Sequence, residues 1–261
     1  MSRPVVVGVD GTADALRAVR WAAEHAGPRG ADLRLVHAAS SPACAARVVR
    51  EARDVVYEVA AGLPVSVVTG ELPSAELLVR ESAGASFVVL GSRGRGGFSG
   101  LLIGTTAVTV AARGGCPMVV MGGPDERGDG PVVVGVDGTV NSDAAIDFAL
   151  REASLRGTGL VAVHGLIAPV EGNVTPDRVA ETIAERLADR GARYPEVKVV
   201  QEVVADTPGR ALLDRAASAQ LAVVGSGRRI GYRGALLRST SQYLLHQAPC
   251  PVAVVRRDHP I

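Results

Sequence analysis

The sequence predicts two tandem doubly wound α/β domains, and three observations carry that expectation. The 261-residue chain repeats itself: Val5-Val6-Val7-Gly8-Val9-Asp10-Gly11-Thr12 recurs without change 127 residues later as Val132-Val133-Val134-Gly135-Val136-Asp137-Gly138-Thr139. Short runs of valine and leucine alternate with longer amphipathic runs through both copies, the pattern of strands buried on both faces and connected by helices. A long glycine-rich loop, Gly91 to Gly104, stands between an apolar run and a helix start. The length alone suggests two domains of about 100–150 residues each.

In the first copy, Pro4–Asp10 reads as a strand and Asp14–His25 as a helix with Leu16, Val19, Ala23 and Ala26 on its apolar face. Leu33–Ala38 is a strand, Ala45–Ala60 a helix and Pro64–Val68 a strand. Pro73–Ala83 is a helix with Ser74 and Glu76 suited to its first turn; Ser86–Leu90 is a strand. After the glycine loop, Thr105–Arg113 is a helix ended by Gly114 and Gly115, and Met118–Met121 is a last strand. The second copy repeats the order with Val132–Asp137, Asp143–Leu155, Leu160–His164, Thr175–Arg190, Val197–Val203, Thr207–Ala217, Leu221–Gly225, Ser239–Gln247 and Pro251–Val255. Pro208 fits the first position of its helix, where a missing N–H costs nothing. Beyond their middles the copies are offset by 134, as Cys116-Pro117 against Cys250-Pro251 shows. The expected domains are residues 1–123 and 131–261, joined by a polar linker, 124–130, rich in turn formers. Handedness rules make such a βα alternation a doubly wound sheet. Ligands then bind at the carboxyl ends of the strands, which puts the loops after Asp10, Ala38 and Gly91 on one edge.

The stretch that carries chemistry is Gly91-Ser92-Arg93-Gly94-Arg95-Gly96-Gly97-Phe98-Ser99-Gly100-Leu101-Leu102-Ile103-Gly104-Thr105-Thr106. Glycines admit close backbone approach, and a helix N-terminus offers unpaired N–H groups at the positive end of its dipole. Together they make a phosphate site; the alternative is a flexible surface loop. The stretch is not a P-loop, since the only lysine, Lys198, is followed by Val199. It is not a dinucleotide fingerprint, since that spacing would need glycine at Ser99.

The spacing Gly91-x2-Gly94-x9-Gly104-Thr105 resembles the nucleotide-binding signature of the universal stress protein family, and with the repeat the resemblance spans nearly the whole chain in the tandem two-domain form. It implies for each domain an open five-stranded parallel sheet with helices on both faces. It also implies pairing through the last strands, Pro117–Met121 and Pro251–Val255, within a chain or in a homodimer; edge strands need a partner or cover.

By the same resemblance the ligand is ATP, with magnesium in some members. Gly8 and Val9 would touch the adenine. Asp10 would contact ribose or the phosphate–metal end, besides capping the helix after Thr12. The backbone of Ala38 would read the adenine edge. Gly91, Gly94 and Gly104 would wrap the phosphates, with the hydroxyls of Thr105 and Thr106 donating. Arg93 is a phosphate neighbour or a solvated loop charge; Arg95 reads as the latter. The second copy keeps Gly135, Asp137, Gly225, Ser239 and Thr240. However, Arg228 stands at the position of Gly94 and Arg238 at that of Gly104. Either these arginines close a weakened site or they bind an anion themselves. If the Gly94 position needs a left-handed backbone, a side chain there costs roughly 1–2 kcal/mol, which favours the weakened site.

The remaining features bound the function. A formal net charge of +1 gives no expectation of nucleic-acid or membrane partners. No apolar stretch reaches the ~20 residues of a membrane helix. The N-terminus lacks a signal-peptide layout, and the three cysteines, Cys44, Cys116 and Cys250, form no C-x-x-C pair; a cytoplasmic protein is expected. His37 and His164, matched between copies, read as packed imidazoles. No catalytic residue or metal-ligand set is legible. The expected role is regulatory, with nucleotide binding controlling conformation or partner choice. The alternatives are a slow metal-dependent ATPase and an interaction module with a vestigial site.

Overall fold

Valine runs make the strands, because β-branched side chains suit a pleat buried on both faces. The computed structural model describes residues 2–39, 41–92, 94, 104–123, 129–166, 176–226 and 239–259. It divides into two units, Met1–Met121 and Gly122–Ile261. The first holds β1 (Val5–Gly8), α1 (Ala13–Ala26), a 3-10 turn (Gly27–Arg29), β2 (Leu33–Ala38), α2 (Pro42–Val59), β3 (Val65–Gly70), α3 (Ser74–Ser82), β4 (Phe87–Leu90), α4 (Thr105–Arg113) and β5 (Met118–Val120). All its strand pairs are parallel, in the order β3-β2-β1-β4-β5. The sheet therefore grows one way from β1 to β3 and the other way through β4, so the topological switch point lies between β1 and β4.

Val5, Val6, Val7, Val88 and Val89 at the centre of this sheet are wholly buried. α1 packs on α2 and α3 on α4, giving the sheet a helical layer on each face. α1 turns Ala15, Ala18, Ala22, Ala23 and Ala26 inward with Val19 and Trp21, and small side chains let this helix lie close to the strands. Two helix starts differ from expectation for local reasons. α2 begins at Pro42, three residues earlier than read, because a proline suits the first turn, where no N–H is needed. α1 begins at Ala13, since Thr12 caps it.

The second unit holds β6 (Val132–Gly135), α5 (Asp143–Arg156), β7 (Leu160–Gly165), α6 (Pro176–Gly191), β8 (Val199–Val204), α7 (Pro208–Ala216), β9 (Leu221–Gly225), α8 (Ser239–Gln247) and β10 (Val252–Val255). Its parallel order is β8-β7-β6-β9-β10, the same winding as in the first unit. The repeat would start α5 at Val140, yet the helix starts at Asp143 behind the N-cap residue Ser142. Thr139 and Val140 instead form a turn, with Ser142 N–H on Thr139 O at 3.1 Å. Four arginine–aspartate contacts form one ladder. Arg186 and Arg190 hold Asp143 at 2.9 and 2.8 Å, and Arg190 and Arg193 hold Asp147 at 2.5 and 3.1 Å. The ladder fastens α6 to α5.

Cys116, just before β5, is 1% exposed, and burial pushes its thiol up to about 12 against an ordinary 9.0, with Arg3 pulling weakly the other way. The neutral thiol is the form that the fold favours, so its contribution is complete below pH 9.0 and disappears as pH rises through about 12. A thiol-reactive chromophore at pH 8 is accordingly expected to leave Cys116 unlabelled until the protein unfolds. Urea titrations from pH 8 to 11 are expected to show an alkaline loss of stability that is shallower in Cys116→Ala.

Candidate functional site

At the switch point β1 ends and the chain turns out of the sheet. Val9 N–H still reaches Val36 O at 2.9 Å. Gly11 then takes φ +82°, the left-handed region that favours glycine, and sits where a Cβ would meet Val48 Cγ2 of α2 at 3.1 Å. Asp10 Oδ1 accepts the backbone N–H of Thr12 at 2.9 Å and its hydroxyl at 2.7 Å. Thr12 Oγ1 in turn accepts Ala15 N–H at 3.2 Å and caps α1. The cap is thus Thr12, and Asp10 orients it.

The strand on the other side of the crevice ends in Gly91. A Cβ there would lie 2.7 Å from Asp14 C, 2.9 Å from Asp14 O and 3.0 Å from Ala15 N, so the backbone after β4 touches the first turn of α1 directly. Ser92 Oγ donates to Asp14 Oδ2 at 2.8 Å and fastens the same contact. Gly94 then returns toward β1: a Cβ on it would stand 3.1 Å from Asp10 Oδ2, and its φ lies outside the left-handed region, so the left-handed cost expected for a side chain at this position does not apply. Gly8 lies below, with Leu90 and Leu78 crowding the place of its missing side chain at 2.6 and 3.2 Å. These contacts bring Gly8, Val9, Asp10, Thr12, Gly91 and Gly94 together. Arg93, Arg95 and residues 96–103 lie outside the described residues.

α4 starts at Thr105 behind an extended Gly104, and among the described residues no side chain caps its end; the first N–H groups of a helix have no partner within it. The Thr106 hydroxyl lies 3.1 Å from Ser74 Oγ and ties α4 to the start of α3. Its sequence-expected role as a phosphate donor therefore competes with a bond between helices.

β2 contributes Ala38, the last residue of its strand. Beside it, His37 is 4% exposed, and its Nδ1 lies 2.7 Å from Val9 O. The imidazole thus bridges the ends of β1 and β2, a packed histidine with one structural bond.

The second unit builds the same turn with different surroundings. Asp137 Oδ1 accepts from Thr139 N at 2.9 Å and Thr139 Oγ1 at 2.7 Å, and also from Ser142 Oγ at 2.6 Å. Ser142 replaces the Ala15 of the first unit. Gly225 is less tightly held than Gly91, its nearest neighbour being Asn141 O at 3.3 Å. At the position of Ala38 stands Gly165, where a Cβ would meet Pro208 Cα at 2.5 Å. Thr240 lies in the first turn of α8. Arg228 and Arg238 lie outside the described residues. Sequence reasoning missed Ser92, Asp14 and Ser74 as supports of the site, for they carry no motif; only their position after a glycine or in a first helical turn could have marked them.

Among the described residues no group of three or more His, Cys, Asp or Glu side chains could hold a metal ion, and no helix is long and apolar enough to cross a membrane. The model of the universal stress protein family matches residues 1–54, 42–122 and 130–256. A universal stress protein of Mycobacterium tuberculosis is 35% identical over 295 residues, covering 99% of this chain and 100% of that protein. One of Mycolicibacterium smegmatis is 36% identical over 285 residues, covering 97% of this chain and 96% of that protein. Among solved structures, a universal stress protein from Archaeoglobus fulgidus superposes with a TM-score of 0.73 at 19% identity, over 98% of this chain and 99% of that one.

The two glycines at the crevice are expected to respond differently to alanine. Gly91→Ala drives a methyl into backbone and is expected to lower stability by about 1–3 kcal/mol in urea unfolding. Gly94→Ala faces, among the described residues, only a carboxylate oxygen and is expected to stay within about 0.5 kcal/mol of the parent. Equal losses would show that the Gly91 contact does not constrain the fold.

Proposed function

The chain belongs to the universal stress protein family, and from that premise we propose that the first unit binds an adenine nucleotide in the crevice between β1 and β4. The nucleotide we propose is ATP, accompanied by magnesium, and its binding sets conformation or partner choice. The observation that carries this reading is the pair of glycine approaches. Gly91 brings the loop backbone onto the first turn of α1, and Gly94 places it against the Asp10 carboxylate. The uncapped start of α4 supplies N–H groups at the positive end of a helix dipole. An anion fits such a place, and the single carboxylate of Asp10 suits a ribose hydroxyl or a phosphate-bound cation.

In this reading Gly8 and Val9 pack against the base, and the Ala38 peptide group meets its edge. Thr12 holds Asp10 in place. Gly91, Gly94, Gly104 and Thr105 surround the phosphates; Arg93 adds positive charge, and Thr106 joins on leaving Ser74. The chemistry asked of these residues is binding and orientation. In the second unit Gly135, Asp137, Gly225, Ser239 and Thr240 are retained, but arginines replace two loop glycines. Tight Pro208 packing at Gly165 and the extra Ser142 bond on Asp137 further distinguish it. We therefore assign one nucleotide to each chain.

Purified without added ligand, then denatured and analysed by mass spectrometry, the protein is expected to release about one adenine nucleotide per chain, or to take up one on adding ATP and magnesium. Gly94→Arg is expected to lose it while unfolding as cooperatively as the parent. Two nucleotides per chain would contradict the assignment of a single site, and none under either condition would contradict the function.

A further inference from the structure

We propose that His37 is a positioning residue: its imidazole takes over a hydrogen bond that the sheet would otherwise make to Val9 and so leaves the peptide group of Ala38 to face the ligand. This deepens the nucleotide reading above and rests on it. Peptide groups alternate in direction along a strand. On its outer side β2 bonds to β3 through odd-numbered residues, Leu33 N–H on Pro64 O and Ala39 N–H on Gly70 O, both at 2.9 Å. Its even-numbered peptides therefore face β1, where Asp32 O accepts Val5 N–H at 2.8 Å and Val36 O accepts Val9 N–H at 2.9 Å.

The next rung of a regular parallel ladder would run from Ala38 N–H to Val9 O. The β1–β2 register ends instead at Gly8 opposite Val36, and Val9 O accepts from His37 Nδ1 at 2.7 Å. Beyond Val9 the left-handed Gly11 carries the chain away from β2. Ala38 is thus left at the fork of two diverging strands with its peptide group turned toward the opening. This is the arrangement that edge-on recognition of a base needs: one donor and one acceptor, a residue's width apart, on a rigid strand.

The state of the imidazole supports the assignment. A carbonyl can only accept, so Nδ1 is the donor in this bond. Nε2 is buried and has no hydrogen-bond partner among the described residues. A leucine would fill the same volume without burying a polar nitrogen that has no partner among the described residues, so packing alone does not account for a histidine here. The second unit repeats the device. His164 Nδ1 lies 2.8 Å from Val136 O, Val136 N–H reaches Val163 O at 3.0 Å, and the β6–β7 register stops at Gly135 opposite Val163. The fork therefore belongs to the strand pair in both copies, while the loop that would complete a phosphate site differs between them.

The test uses the full chain and two readouts. In backbone amide exchange without ligand, Ala38 is expected to exchange rapidly in the wild type. In His37→Ala it is expected to slow about tenfold or more, as its N–H falls back onto Val9 O. In calorimetric titration, His37→Ala is expected to weaken AMP about tenfold while leaving inorganic pyrophosphate within about twofold. His37→Asn, whose amide reaches the same carbonyl, is expected to restore fast exchange and AMP affinity. Should His37→Ala fail to fold, His164→Ala with Gly165 as the reporter makes the same exchange measurement. Slow exchange of Ala38 in the wild type, an unchanged rate in His37→Ala, or an equal loss of AMP and pyrophosphate overturns the proposal. A wild type that binds neither AMP nor ATP with magnesium overturns the nucleotide reading instead, and the exchange rates still decide what His37 does.

Discussion

The end of β4 and the start of α1 touch backbone to backbone, and the first unit is arranged around that contact. A single methyl at residue 91 would lie 2.7 Å from Asp14 C, closer than carbon atoms approach without displacement. Only glycine permits the loop to cross there. The crossing places Ser92 on Asp14, brings Gly94 back over Asp10, and fixes the wall of the crevice at the one place where the sheet changes its direction of growth. Helix α1 must begin at this point and no later, and the Asp10–Thr12 pair provides the means: one carboxylate oxygen holds the threonine whose own oxygen caps the helix. Turn, cap and loop crossing thus depend on one another within a few residues.

The second unit shows what changes when the constraint is relaxed. The Asp137–Gly138–Thr139 turn has the same hydrogen bonds as its counterpart to within 0.1 Å. Gly225, however, is held only to 3.3 Å of Asn141 O, and α5 starts a turn later behind Ser142. Asp143 and Asp147 stand where Arg186 and Arg190 of α6, and Arg193 just beyond it, reach them. Isolated exposed pairs of this kind contribute little, roughly 0.2–1 kcal/mol each, but a shared ladder limits the side-chain freedom that each bond costs. The first unit relies more on apolar contact between α1 and α2, with Arg20–Glu58 at 2.8 Å as an exposed pair.

Much of this was legible in the residues. The exact repeat and the alternation of valine runs with helical runs gave the order of elements in both units, and Gly91-x2-Gly94-x9-Gly104-Thr105 marked the loop. Strand and helix type came through because burial on two faces and an amphipathic stripe leave different periods. Helix starts did so less well. The sequence reads α2 from Ala45, but Pro42 sets the start; it reads α5 from Asp143, where the helix does start, without sight of the turn that displaces it from the repeat. The supports of the site were hidden for a different reason. Ser92, Asp14 and Ser74 act through geometry created by the fold, and no spacing in the sequence announces it. His37 was read as a packed imidazole, which its 4% exposure and its bond to Val9 O match; that this bond ends a sheet ladder becomes visible only once the register is known.

The central claim is that the β1–β4 crevice of the first unit is a nucleotide site and its counterpart in the second unit is not. Chemical-shift mapping of the isotope-labelled full chain during titration with ATP and magnesium tests it most directly. The account predicts saturable shifts at Gly8, Asp10, Ala38, Gly94 and Thr105, with Gly135, Asp137, Gly165 and Thr240 unmoved at the same concentrations. Shifts of equal size and midpoint in both sets, or shifts confined to the second unit, would contradict it.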